Sequence, residues 1–118
     1  MSLWHLGHLV VTQQLLTYGL SGLPLHAPEA LVALCRKGTS PADWTDAGPD
    51  PAEVKRLLLA LPEQFDADQA SGVFETFREY PTSTGITLRS LDDAVQFNLF
   101  HEGLHARSIA RQRRLLGV

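Results

Sequence analysis

Apolar residues in the first stretch of the chain leave no polar face. Between Leu3 and about Leu20 they stand at Leu3, Leu6, Leu9, Val10, Val11, Leu15 and Leu16. A helix through this segment is apolar nearly all round, so it is an interior helix or one waiting for a partner. Gly19, Gly22 and Pro24 end it. Set into it are His5 and His8, three residues apart and neighbours on the helix surface.

The pattern loosens from His26. Ala27 to Arg36 predicts a short helix with Pro28 in its first turn, followed by a long polar connection through 37–41 and 45–50. Asp50-Pro51-Ala52-Glu53 is an emphatic helix start, with a side-chain cap, proline at the first helical position and an acid three residues after the cap. Val54, Leu57, Leu58 and Leu61 carry that helix, Pro62 kinks or ends it, and helical structure is expected to resume to about Gln69.

Val73 to Tyr80 and Ile86 to Leu88 are rich in aromatic and β-branched residues on either side of Pro81-Thr82-Ser83-Thr84-Gly85. That pattern predicts a small hairpin or an ordered extended loop within 73–89. Ser90 caps the last helix. Asp92 and Asp93 suit its N-terminus; Arg107, Arg111, Arg113 and Arg114 suit its C-terminus. Its inward stripe is Leu91, Ala94, Phe97, His101, Leu104, His105 and Ile109, and Gly117 follows its final turn. Three substantial helices, two minor ones and little strand make this an all-α protein.

The 118 residues are expected to form one domain, 1–118, with an apolar fraction of 44% that suffices for a core. The net charge of −3 lacks the basic footprint of a nucleic-acid binder, and the arginines of the last helix read as a solvated end answering the helix dipole. No apolar run reaches the length of a membrane span and no secretory signal is visible, so a cytoplasmic protein without a membrane partner is expected. Cys35 is the sole cysteine, which excludes an intramolecular disulfide; with no cation or helix N-terminus evident beside it, it reads as an inert thiol.

The chemistry is concentrated in Phe97 to His105. His101 and His105 are four apart, hence on one helix face, and can present two imidazole nitrogens to one metal ion. The string His101-Glu102-Gly103-Leu104-His105 is also H-E-x-x-H, the helix motif of zinc peptidases. Those enzymes usually take a third ligand downstream, yet Ala106 to Val118 contains no His, Asp, Glu or Cys. The peptidase reading is therefore set aside, and a third ligand is expected upstream. Histidines in a core can simply be hydrogen-bonded residues, but several imidazoles in an apolar seam carry a desolvation cost that a shared metal relieves. His5 and His8 compete for the third position, and spacing alone does not separate them. His26, in a proline-flanked loop, reads as a surface residue.

Trp4-His5-Leu6-Gly7-His8 resembles the W-x-L-[AG]-H signature on the second helix of the DinB-like (YfiT-like) metalloenzymes. His101-Glu102-x-x-His105, followed by Arg113-Arg114-Leu115-Leu116-Gly117, is similar to their last helix, and so is Tyr80 to Leu88 leading into Asp92-Asp93-Ala94. The resemblance covers nearly the whole chain in order. It implies a four-helix bundle with a long crossover between the second and third helices. It also implies a divalent metal on three histidines, here His8, His101 and His105, with His5 behind the ligands and Glu102 orienting a histidine or a water. Three imidazoles do not distinguish zinc, nickel, iron and manganese.

The family includes bacillithiol transferases, mycothiol-dependent isomerases and sulfoxide synthases of ergothioneine biosynthesis. The resemblance thus implies a metal-dependent hydrolase or thiol transferase acting on small molecules, with a low-molecular-weight thiol as partner. The alternative is a non-catalytic oligomeric helical module with a structural or vestigial metal site. Two departures matter. Relatives carry a helix before the W-x-L-[AG]-H segment, where this sequence has three residues, so a homodimer in which another subunit supplies the missing wall, or a shortened form, is expected. Relatives also have Gly-Gln after the final histidine, where this chain has Arg107-Ser108.

Overall fold

In the computed structural model, residues 2–44 and 48–116 are described, with side chains as far as Arg107. Four α-helices, α1 (Ser2–Gln14), α2 (Glu29–Cys35), α3 (Pro51–Ala70) and α4 (Leu91–Leu116), are joined by irregular segments and one small hairpin. The all-α helical architecture expected from the sequence is what forms.

The all-round apolar character of the first helix has a direct cause: α1 packs against α2, α3 and α4 at once. Val10 and Val11 meet Leu31 and Cys35 of α2 and Val54, Leu57 and Leu61 of α3 in one core cluster. Leu16 and Leu20, further along, enter a second cluster with Leu88 and Ala94. The expected single helix to Leu20 is modified between these clusters. After Gln14 the chain widens into a π-turn over Leu15–Gly19, with the Leu20 N–H donating to the Leu15 carbonyl at 3.1 Å. The extra residue in that turn re-phases the helix, so Leu16, Thr17 and Tyr18 are all buried.

Two expected helix starts form as their caps dictate. The Ala52 N–H donates to Asp50 Oδ1 at 3.1 Å at the head of α3, and the Asp93 N–H donates to Ser90 Oγ at 3.2 Å at the head of α4. Pro62 does not interrupt α3, which runs unbroken to Ala70. The proline itself lies on the exposed face of the helix. Short α2 starts after Pro28, and a 3-10 turn at Pro41–Asp43 occupies part of the polar connection. Thr45 to Ala47 of that connection lie outside the described residues.

The extended stretch before α4 is mostly irregular. Only Tyr80–Pro81 (β1) and Thr87–Leu88 (β2) pair, antiparallel, around a turn in which Gly85 takes a φ of 89°. Val73 to Glu79 form no strand because their partner is the end of the first helix: the Arg78 N–H donates to the Leu20 carbonyl at 2.7 Å.

The expected inward stripe of α4 needs two corrections. Leu104 is 48% exposed, and Asn98, absent from that stripe, is 7% exposed. α4 covers α1 with a narrower face than its apolar spacing suggests, leaving Leu99 and Phe100 open as well. The side chains of Ile109, Arg111, Arg113 and Arg114, and all of Gly117, lie outside the described residues; Arg107 is exposed. No described helix is long and apolar enough to cross a membrane.

Candidate metal centre

The antiparallel contact of α1 with α4 brings the two ends of the chain together. His5 and His8 come from α1, one turn apart; His101 and His105 come from α4, also one turn apart. His8, His101 and His105 each offer a ring nitrogen, and the three atoms lie within 4.8 Å of one another. This is a three-imidazole group that could hold a metal ion.

The His8 ring is held from behind. His8 is buried and donates from Nδ1 to the Cys35 carbonyl at 2.7 Å, at the last residue of α2. That bond puts the proton on Nδ1 and leaves Nε2 with a free lone pair. Trp4 stacks on the His8 ring, 4.6 Å between centroids and 10° between planes, and is itself fixed by donating from Nε1 to Thr39 Oγ1 at 3.0 Å. His8 Nε2 faces His101 Nε2 across 3.1 Å, and His5 Nδ1 stands 2.6 Å from His105 Nδ1.

The donor chemistry fits a metal. Burial, partly offset by the Cys35 carbonyl, lowers the pKa of His8. Burial, reinforced by neighbouring imidazoles, lowers His101 and His105 to about 4 each. All three rings are therefore neutral at pH 7, as ligation requires. Two nitrogens bonded at about 2.1 Å to one tetrahedral ion stand about 3.4 Å apart, close to the 3.1 Å between His8 and His101. His101 also buries Nδ1 with no hydrogen-bond partner among the described residues. Since Nε2 is the atom turned toward His8, a metal held there leaves this Nδ1 unpaired, and its burial is a cost the site carries.

A sequence model of the DinB superfamily matches residues 2–109, a span that takes in all three of these histidines. The chain belongs to the DinB superfamily. No curated protein and no solved structure matches it. In this DinB-superfamily chain the residues singled out by sequence divide into three groups. His8, His101 and His105 converge, and His5 joins them through His105. Glu102 lies one turn along from Asn98 and accepts its Nδ2–H at 2.7 Å, so its hydrogen bond runs along α4 and not to an imidazole. His26 is exposed and remote, its Nε2 3.3 Å from Asp68 and its ring edge-on to Tyr18.

Cys35 is buried, and burial pushes its thiol up to about 11, which agrees with an inert side chain. Its contribution is the backbone carbonyl. Sequence reasoning missed that, and it missed Thr12, whose Oγ1 lies 3.4 Å from His8 Nε2. Thr12 carried a usable signal, since it follows His8 by one helical turn. A pocket of about 610 Å³ opens beside the imidazoles, with His8, Thr12 and His101 on its wall.

Proposed function

We propose that this protein binds a divalent metal ion through His8, His101 and His105 and acts on small molecules as a metal-dependent hydrolase or as a thiol transferase of the bacillithiol or mycothiol type. The observation that carries the reading is the pocket beside His8 and His101. A structural metal is enclosed by four protein ligands, whereas a catalytic one keeps a position open to solvent or substrate. Three neutral imidazoles leave the ion's double charge uncompensated, and when bound it supplies Lewis-acid activation of a thiol or water.

The chain's own groups do the positioning. The Cys35 carbonyl sets the tautomer of His8, and His5 steers His105 through the Nδ1 contact. The Thr12 hydroxyl, at the pocket wall, is placed to hold a proton next to the reacting group. Glu102, tied to Asn98, stiffens the turn of α4 that carries both histidines. The same reading includes a homodimer, supported by the apolar Leu99 and Phe100 that α4 leaves exposed. A well-folded monomer in sedimentation at micromolar concentration overturns that part.

Metal analysis of the purified protein and of a His101→Ala/His105→Ala variant tests the centre. Stoichiometric metal that disappears in the variant, with the helical circular-dichroism signal retained, is expected. No metal under metal-replete conditions overturns it. Thiol transfer to a small electrophile and hydrolysis of small esters are then compared in metal-loaded and chelated protein. Equal rates in the two leave a non-catalytic helical module with a structural site.

A further inference from the structure

The pocket beside the imidazoles is cationic in a chain that is acidic overall. Lys37, just after α2, and Arg78, in the extended segment before β1, both line it, and none of its lining residues is Asp or Glu. The chain as a whole carries a net charge of −3. Neither Lys37 nor Arg78 has an ion-pair partner among the described residues, so neither charge is consumed by the fold. Arg78 is also fixed at its backbone, through the 2.7 Å bond to the Leu20 carbonyl, so its side chain starts from a defined point on the wall. The rest of that wall is largely apolar, with Leu16 and Leu20 from the first helix and Phe97 and Phe100 from α4.

An apolar wall with two unspent cations suits a particular class of molecule. A planar guanidinium meets a carboxylate through two parallel N–H···O bonds, and an ammonium adds a second charge without geometric demand. Phosphate sites characteristically add backbone N–H groups at a helix N-terminus; no residue from the first turn of a helix lines this pocket. We propose that the pocket takes a small molecule with an apolar body and a carboxylate end, the carboxylate held by Arg78 and Lys37 and the body lying on Leu16, Leu20, Phe97 and Phe100 beside His8 and His101. This deepens the metal-centre reading and rests on it for the identity of the reacting end.

The probe pair is 4-phenylbutyrate and its neutral amide, 4-phenylbutyramide, titrated by calorimetry into the wild-type protein, Arg78→Gln/Lys37→Gln and His101→Ala. Both cationic residues are exposed, so the double variant is expected to keep the wild-type melting temperature. The wild type is expected to bind the carboxylate about five- to tenfold more tightly than the amide, a preference that shrinks as salt is raised. Arg78→Gln/Lys37→Gln loses the preference while its affinity for the amide is unchanged. His101→Ala keeps the preference, because the cations and not a metal hold the carboxylate.

Equal affinities in the wild type, or no binding of either probe, overturn the proposal. So does a preference that survives in the double variant. A preference lost only in His101→Ala assigns the carboxylate to the metal, overturning this inference and leaving the metal centre standing. Metal content is measured on the same wild-type sample, and its absence counts against the metal centre while the carboxylate preference is still read.

Discussion

His8 Nδ1 and the Cys35 carbonyl are 2.7 Å apart, and through that one bond the end of α2 decides which nitrogen of His8 faces the other imidazoles. The carbonyl belongs to the last turn of a helix, where backbone oxygens lack intrahelical partners, so the bond also satisfies an acceptor that the core would otherwise strand. α2 is seven residues long and carries no catalytic side chain. Its position is nonetheless part of the site.

That position depends on Gly7. A Cβ on Gly7 would stand 2.5 Å from Cys35 Sγ and 3.3 Å from Cys35 Cβ, well inside contact distance. Gly7→Ala is expected to destabilise the protein by about 1–3 kcal/mol in urea unfolding, through overpacking between α1 and α2. It is also expected to weaken metal binding, because separating the helices lengthens the His8–Cys35 bond. Gly7→Ala/Cys35→Ala, which removes the sulfur, should recover part of the loss. Wild-type stability in Gly7→Ala alone would contradict this packing.

His101 illustrates a conflict between stability and ligation. Its buried Nδ1 lacks a hydrogen-bond partner among the described residues, and such an atom costs about 1–3 kcal/mol. In chelated protein His101→Leu is therefore expected to raise the melting temperature while abolishing metal binding. A lower melting temperature in the variant would show that the nitrogen is satisfied in solution.

The imidazoles also set a pH dependence. In the folded metal-free protein His101 and His105 titrate near 4, while their ordinary value is 6.5. Unfolding therefore takes up protons between these values, and stability rises with pH across that window. Chelated protein is expected to be fully stable above about pH 6.5 and to lose stability as the pH falls toward 4, with His8 contributing in the same direction. Metal affinity should fall over the same interval, since protons compete for the ligand nitrogens. Thermal unfolding at a series of pH values checks the first, and metal titration checks the second. His101→Ala/His105→Ala should flatten both.

A second polar cluster gives a control away from the site. Tyr18, 2% exposed, donates its hydroxyl to Asp68, which also lies against His26. Burial and the Asp68 carboxylate together raise the Tyr18 pKa. Tyr18→Phe is expected to cost about 1–2 kcal/mol in urea unfolding, by loss of a charge-assisted hydrogen bond. Metal stoichiometry should not change, because none of the three residues contacts the imidazoles that converge between α1 and α4. A variant that loses metal would tie the cluster to the site after all.

The helices and the three converging histidines were legible because each rests on a local rule. Asp50 and Ser90 cap their helices through side chains adjacent in sequence, and His101 and His105 share a face through helical spacing alone. His8 was separated from His5 only by the family resemblance, since both sit on the same apolar helix. The less legible features are those that depend on distant chain. Leu104 carries the spacing of a core residue but lines the open pocket, so it is exposed. Val73 to Glu79 have strand-like composition but are bonded to the end of the first helix. Lys37 and Arg78, 41 positions apart in the sequence numbering, meet at one pocket through folding, and no motif marks them.

The π-turn at Leu15–Gly19 divides the first helix into two working parts. His8 and Thr12 lie before it, while Leu16 and Leu20, which wall the pocket, lie within it or just beyond. The widened turn absorbs one residue more than an α-turn, a shift of about 100° in the sequence pattern. Deleting one residue within it would leave a plain α-turn, with the imidazoles before it and the pocket wall after it close to their present relative orientation. A single turn thus separates the part of the first helix that serves the ion from the part that shapes what lies beside it.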